Sequence, residues 1–136
     1  MSMSMPQEFN WVLERAKCTS SQAFQRLRSQ VEADVETCNS LIPENDKGNF
    51  WFSFISENDR FSVAIESPGG TTRRIKFSCT AVGVDVYDFT DRLVCRGFLT
   101  LSNDCVCKFK VNEIEHDFWQ FRKNALEGLF FGERGI

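Results

Sequence analysis

The sequence RFSVAIES at residues 60–67 alternates apolar and polar side chains. The same alternation recurs in TRRIKFSCTAVGVDVY at residues 72–87 and in RLVCRGFLTLSNDCVCKFK at residues 92–110. A β-strand turns successive side chains to opposite faces, so this pattern is typical of an antiparallel sheet with one buried and one solvated face. The predicted inward side chains are Phe61, Val63, Ile65, Ile75, Phe77, Leu93, Cys95, Cys105, Cys107 and Phe109.

Turn-forming residues divide this region into five predicted strands. The predicted strands cover residues 49–56, 60–67, 72–87, 92–102 and 105–112. Within the third strand the apolar positions change from odd to even numbers beside Gly83. A β-bulge inserts one extra residue and would produce this change of phase, so we expect a bulge near Gly83.

Apolar residues at helical spacing precede and follow the predicted strands. A first helix is expected to begin near Pro6, where Ser4 and Gln7 resemble a capping box, and a second at Thr19 with Gln22. The stripes are Phe9, Val12, Leu13 and Ala16; Phe24, Leu27, Val31, Val35, Cys38 and Leu41; and Ile114, Phe118, Phe121, Ala125 and Leu129. Residues 1–136 therefore predict one α+β domain: an N-terminal helix pair, a five-stranded antiparallel meander and a C-terminal helix packed on one sheet face.

The composition limits the classes of function. The chain has 136 residues, fourteen Phe, three Trp and one Tyr. Phe buries a large apolar area without a polar atom to satisfy, so this bias indicates a thick core or, alternatively, an apolar groove. The net charge of −3 argues against nonspecific binding of nucleic acid by the whole chain.

Compartment is predicted from the cysteines and from the start of the chain. No positively charged segment followed by an apolar stretch opens the sequence, and no run approaches the roughly 18 apolar residues of a membrane helix. The six cysteines are therefore expected to be reduced thiols of a cytoplasmic protein.

Four cysteines share the predicted inward face of the sheet: Cys79, Cys95, Cys105 and Cys107. Four thiolates would make a tetrahedral zinc site, but zinc knuckles place two Cys about two to four residues apart on a turn. Free Cys is also among the most buried residue types. Core packing is the preferred interpretation, and a metal or redox site is the alternative.

No catalytic or cofactor motif is present in the sequence. The single histidine, His116, lies between Glu115 and Asp117 at the predicted start of the last helix. Several carboxylates lie at strand ends and predicted turns, where Asp is a usual residue. We therefore predict that the protein is not an enzyme and holds no cofactor or metal.

The polar face of the predicted sheet is cationic. Its six cations, from three predicted successive strands, are Arg74, Lys76, Arg92, Arg96, Lys108 and Lys110. Val94 and Phe98 interleave with them, and Trp51 is expected to join from the first strand. Three interpretations stay open: a solvated face, a surface for a protein partner, or a surface for single-stranded nucleic acid.

The favoured hypothesis is a non-enzymatic interaction, adaptor or chaperone-like module that binds a protein partner through the outer sheet face or an edge strand, with an acidic partner as one option. The order helix, antiparallel sheet, helix resembles that of small dimeric secretion chaperones, without a shared motif, and a homodimer is expected. The alternatives are a small-molecule binder with a Phe-lined pocket between sheet and helices, and a weak binder of single-stranded nucleic acid.

Overall fold

A computed structural model describes residues 9–132 and 135–136 of the chain. These residues form three α-helices, a short 3-10 turn at Glu44–Asp46 and one antiparallel sheet of seven strands. The helices are α1 (Trp11–Lys17), α2 (Ser20–Leu41) and α3 (Phe118–Phe131). The strands are β1 (Trp51–Ser56), β2 (Arg60–Ser67), β3 (Gly70–Cys79), β4 (Gly83–Tyr87), β5 (Leu93–Leu101), β6 (Cys107–Val111) and β7 (Ile114–His116).

The sheet is a meander in which each strand pairs with the next along the chain, in the order β1 to β7. The α+β class, the antiparallel sheet and the C-terminal helix are as predicted, whereas five strands were expected. The first additional strand comes from residues 72–87. Thr80, Ala81 and Val82 reverse the chain there, and Cys79 pairs with Val84 across the resulting hairpin. The change of phase near Gly83 is therefore a turn between two strands and not a β-bulge.

The second additional strand is β7, in residues assigned from sequence to the last helix. Asn112 and Glu113 both have positive φ, at 50° and 68°, and join β6 to β7 in a tight turn. Helix α3 begins only at Phe118, where the backbone N–H of Asp117 donates a hydrogen bond to Gln120 Oε1 at 2.8 Å. Ile114 is an exposed strand residue, and the prediction that it opens the helical stripe is wrong.

The two N-terminal helices differ in how they are attached. Thr19 caps α2 as predicted, with its hydroxyl accepting from the Gln22 backbone N–H at 3.3 Å. Helix α1 begins after Asn10 and contains no buried residue, so the predicted packing of Val12 and Leu13 is not seen. The expected helix start at Ser4, Pro6 and Gln7 lies outside the described residues.

The core lies between one sheet face and helices α2 and α3. Phe61 stacks on Phe77 at 4.7 Å between ring centroids, and Phe109 stacks on Phe121 of α3 at 4.4 Å. Helix α3 approaches β5 at Gly97, where an added Cβ would lie 2.6 Å from the Phe121 ring. Most of the predicted inward residues are buried or packed against this core. Two predicted inward residues differ: Leu93 is exposed, and Cys105 lies in a turn with a φ of 61°.

Polar contacts fix the helices on this inner face. Asn39 of α2 pairs with the backbone of Phe52, accepting from its N–H at 2.8 Å and donating to its carbonyl at 2.9 Å. Arg122 of α3 bonds Asp34 of α2, with a distance of 2.7 Å from Nε to Oδ2. Both helices are thus held on one side of the sheet. No helix in the described part of the chain has the length and hydropathy to cross a membrane.

Cys18 and Cys107 form a disulfide that joins the start of α2 to β6. The prediction of six reduced thiols is therefore wrong for this pair. This pairing could not be predicted from the sequence pattern, because the two residues lie 89 positions apart. The remaining cysteines, Cys38, Cys79, Cys95 and Cys105, are free.

Candidate interaction surface

The sheet face turned away from α2 and α3 is called the outer face below. It carries the even-numbered side chains of β3, β5 and β6 and the odd-numbered side chains of β1. Five large apolar side chains of these strands are exposed: Trp51, Ile55, Leu93, Val94 and Phe98. Val94 is 54% exposed and Phe98 is 47% exposed, although both belong to a central strand of the sheet.

Strand β4 separates the cations of β3 from those of β5. The sequence prediction placed Arg74 and Lys76 on a strand adjacent to that of Arg96, and this adjacency is wrong. Neighbouring strands lie about 4.8 Å apart, so the intervening strand puts the two cationic groups roughly 10 Å from each other across the sheet. The inserted strand also brings Asp85 and Tyr87 onto the outer face.

Asp85 is the only buried carboxylate among the described residues, and it lies on the outer face. It is paired across the strands with Arg96, whose Nε and Nη2 donate to the two carboxylate oxygens at 2.9 and 3.3 Å. The hydrogen bond to Asp85 raises the pKa of the Arg96 guanidinium. Arg96 is therefore a neutralised member of an ion pair rather than a free cation.

Two of the other predicted cations are also paired with carboxylates. Lys76 forms an ion pair with Asp91 from the turn after β4. Lys108 lies 3.6 Å from Asp117, measured from Nζ to Oδ1. Lys110 has no carboxylate within ion-pair distance among the described residues, and its cross-strand neighbours are Phe98 and Glu115.

Arg92 lies in the turn between β4 and β5 and not on a strand. Its backbone N–H donates to Asp88 Oδ1 at 3.0 Å, and the hydroxyl of Thr90 donates to the same oxygen at 2.7 Å. The Thr90 hydroxyl and the Arg92 N–H lower the pKa of Asp88. These hydrogen bonds order the turn, and they hold Arg92 at the end of the sheet.

A second group of cations surrounds Ile55 at the β1 side of the outer face. Arg60, Arg74 and Lys76 line a shallow groove of about 180 Å³ together with Ile55 and Glu57. The Nε of Arg74 is buried and has no hydrogen-bond partner among the described residues. Arg74 lines this groove, but its Nε is not accessible from it.

The predicted site residues thus fall into two clusters. Trp51, Arg74 and Lys76 belong to the β1–β3 side of the outer face. The cluster on the other side contains Arg96, Phe98, Lys108 and Lys110. Sequence reasoning did not assign Ile55 or Tyr87 to the site. The alternation that places Trp51 outward also places Ile55 outward, but Tyr87 required knowledge of the additional strand.

Three of the four free cysteines, Cys38, Cys79 and Cys95, have the properties of packed side chains. Burial raises the pKa of the thiol of Cys38 to about 11 and also raises the pKa of Cys79 and Cys95. A thiol with a raised pKa is a poor nucleophile and a poor metal ligand at neutral pH. In the described part of the chain, no group of three or more His, Cys, Asp or Glu side chains is arranged to hold a metal.

No protein-family model, curated protein or solved structure matches this chain.

Proposed function

We propose that the protein is a non-enzymatic interaction module, of adaptor or chaperone-like type, that binds a protein partner through the outer face of its sheet. The carrying observation is the exposure of Val94 and Phe98 in a central strand, beside the paired charges of Asp85 and Arg96. Apolar side chains exposed at the middle of a sheet, with a polar surround, are typical of an interaction surface.

The chemistry of the outer face supports a protein partner over nucleic acid. Affinity for nucleic acid comes mainly from cations that displace counterions from phosphates. Here carboxylates of the chain already pair with Lys76, Arg96 and Lys108, and the whole chain carries a net charge of −3. Protein interfaces, in contrast, are enriched in aromatic residues and Arg, with charges at the rim. Lys110 and Arg92 are the cations that an acidic partner would contact.

Packing between sheet and helices argues against the Phe-lined pocket of the alternative hypothesis. Phe24, Phe61 and Phe77 fill the space under α2, and Phe109 and Phe121 fill the space under α3. A ligand site normally needs a cavity of about 300 Å³ or more, and the apolar groove of that size lies at the surface between α2 and α3 rather than between sheet and helices. A small molecule would have to displace these rings, so this alternative is the weaker proposal.

Cytoplasmic location and a homodimeric state complete the proposal. The Cys18–Cys107 disulfide is relevant to the cytoplasmic location, because reducing compartments keep most thiols free. Within a reducing cytoplasm the bond would form only transiently or under oxidising conditions. Thiol trapping in intact cells measures whether Cys18 and Cys107 are oxidised, and this measurement tests the cytoplasmic location.

Replacing Val94 and Phe98 by Ser tests the proposed surface. Neither side chain is buried, so we expect the fold to persist and the capture of the partner from a lysate of the source cells to fall at least tenfold. Loss of one buried anchor at an interface costs about 2 kcal/mol or more, which is consistent with such a decrease. The measurement is quantitative mass spectrometry of proteins retained by the immobilised chain.

A matched control is the double replacement of Val12 and Val82 by Ser. Both are exposed Val residues outside the outer face, Val12 on α1 and Val82 in the β3–β4 turn. Equal capture by both double variants and the wild type would contradict the proposal. Charge reversal at Arg96 is a poorer test, because it would set a second carboxylate beside the buried Asp85 and destabilise the sheet.

A further inference from the structure

The exposed side of α3 carries a row of side chains spaced four residues apart: Trp119, Lys123, Glu127 and Phe131. All four are exposed. Residues i and i+4 are neighbours on a helix, so the row is a continuous ridge about 18 Å long. Lys123 and Glu127 form an ion pair at its centre, with Nζ 3.2 Å from Oε1.

The ridge borders an apolar groove of about 370 Å³ between α3 and α2. The buried side chains of Cys38, Leu126 and Phe130 form its floor. Leu41 stands on the α2 side, and like Trp119 and Phe131 it is more than half exposed, at 55, 55 and 56%. Three large apolar side chains exposed around one groove indicate that another surface covers it.

The order of the four side chains is self-complementary. The ridge runs aromatic, cation, anion, aromatic from its N-terminal to its C-terminal end. A twofold axis through the middle of the ridge would set a second α3 antiparallel to the first. Lys123 of each copy would then face Glu127 of the other, and Trp119 would face Phe131. In a twofold interface every such contact is made twice.

We propose that this α3 ridge is the interface of a homodimer, with the aromatic ends of each ridge packed in the groove beside Leu41 of the other copy. Packing of the i, i+4 ridges of two helices against each other is the commonest class of helix contact. A second copy fits better than an unrelated helix, because an antiparallel copy of the ridge places its own Glu127 opposite Lys123 and its own Lys123 opposite Glu127. This interface lies on the helix side of the molecule, so it leaves the outer sheet face free and does not depend on the function proposed for it.

The central charges allow a test by charge exchange. Lys123→Glu sets two carboxylates against each other at both symmetric contacts, and Glu127→Lys sets two ammonium groups against each other. Each single variant is expected to raise the dimer dissociation constant at least tenfold, because like charges in an interface are strongly unfavourable. In an equimolar mixture of the two variants, opposite charges face each other again, and heterodimers are expected with an affinity within threefold of wild type.

Sedimentation equilibrium of each variant, of the mixture and of the Lys123→Glu/Glu127→Lys double variant measures these constants. The double variant is also expected to recover dimerisation. Both positions are exposed, and circular dichroism checks that each variant is folded. A monomeric wild type, a dimer that is insensitive to the single exchanges, or a mixture that fails to associate would each overturn the proposal. The Val94→Ser/Phe98→Ser variant should dimerise normally, which separates this interface from the outer face.

Discussion

Replacing Phe61 by Ala is expected to lower the free energy of unfolding by about 3–5 kcal/mol. Phe61 is 1% exposed and lies at the centre of the aromatic cluster under α2. Its ring stacks on Phe77 and contacts the rings of Phe24 and Phe54, at centroid distances of 5.1 and 5.6 Å. Truncation removes contacts with all three rings and leaves a cavity that neither β2 nor α2 can close, because both are held by neighbouring elements.

Urea unfolding followed by circular dichroism measures this loss. Phe89→Ala is the matched control, since Phe89 is exposed in the turn after β4. Surface substitutions of this kind usually change stability by about 0.5 kcal/mol or less. A loss below about 1 kcal/mol for Phe61→Ala would mean that the stacked cluster is not the core of the fold.

Removing the disulfide is the second large expected effect. Cys18→Ser together with Cys107→Ser is expected to lower the free energy of unfolding by about 2–5 kcal/mol. The bond joins residues 89 positions apart, and closing so long a loop restricts the unfolded chain strongly. It also fixes the junction of α1 and α2 to β6, where α1 buries no residue of its own.

Urea unfolding of the wild type with and without a reductant should give the same difference, whereas the double serine variant should be insensitive to reductant. Alkylation of the unreduced, denatured wild type should modify four of its six cysteines, since four are free. Modification of all six thiols, with no effect of reductant on stability, would show that the bond does not form.

Alternation of side chains predicted the inner face of the sheet well, because burial on one face constrains every second residue of a strand. Phe61, Val63, Ile65, Ile75 and Phe77 are all buried as expected. The failures are at turns. Thr80-Ala81-Val82 contains none of the usual turn residues, so the β3–β4 hairpin was interpreted as one bulged strand. The turn at Asn112 and Glu113 contains one usual turn residue, Asn112, but no glycine, and only the end of the fifth strand was expected there.

The candidate site was predicted only in part for the same reason. The predicted cations Arg74, Lys76, Arg96, Lys108 and Lys110 lie on the outer face, as the alternation indicated. The additional strand then changed which of them are neighbours and brought Asp85 to Arg96. Ion pairing depends on contacts between distant residues, which periodicity along one strand does not report. The self-complementary row on α3 was also present in the sequence, but its exposure became known only from the packing of α3 against the sheet.

A photoreactive amino acid placed at position 98 tests the outer face most directly. Phe98 is 47% exposed on β5, so a photoreactive aromatic side chain fits the position without disturbing the core. Irradiation of living source cells is expected to produce a discrete adduct of higher mass, which mass spectrometry identifies as the chain joined to another protein. The same side chain at position 82, in the β3–β4 turn, should give little adduct. Absence of an adduct at position 98, or equal adducts at both positions, would contradict the proposal that the outer face binds a protein partner.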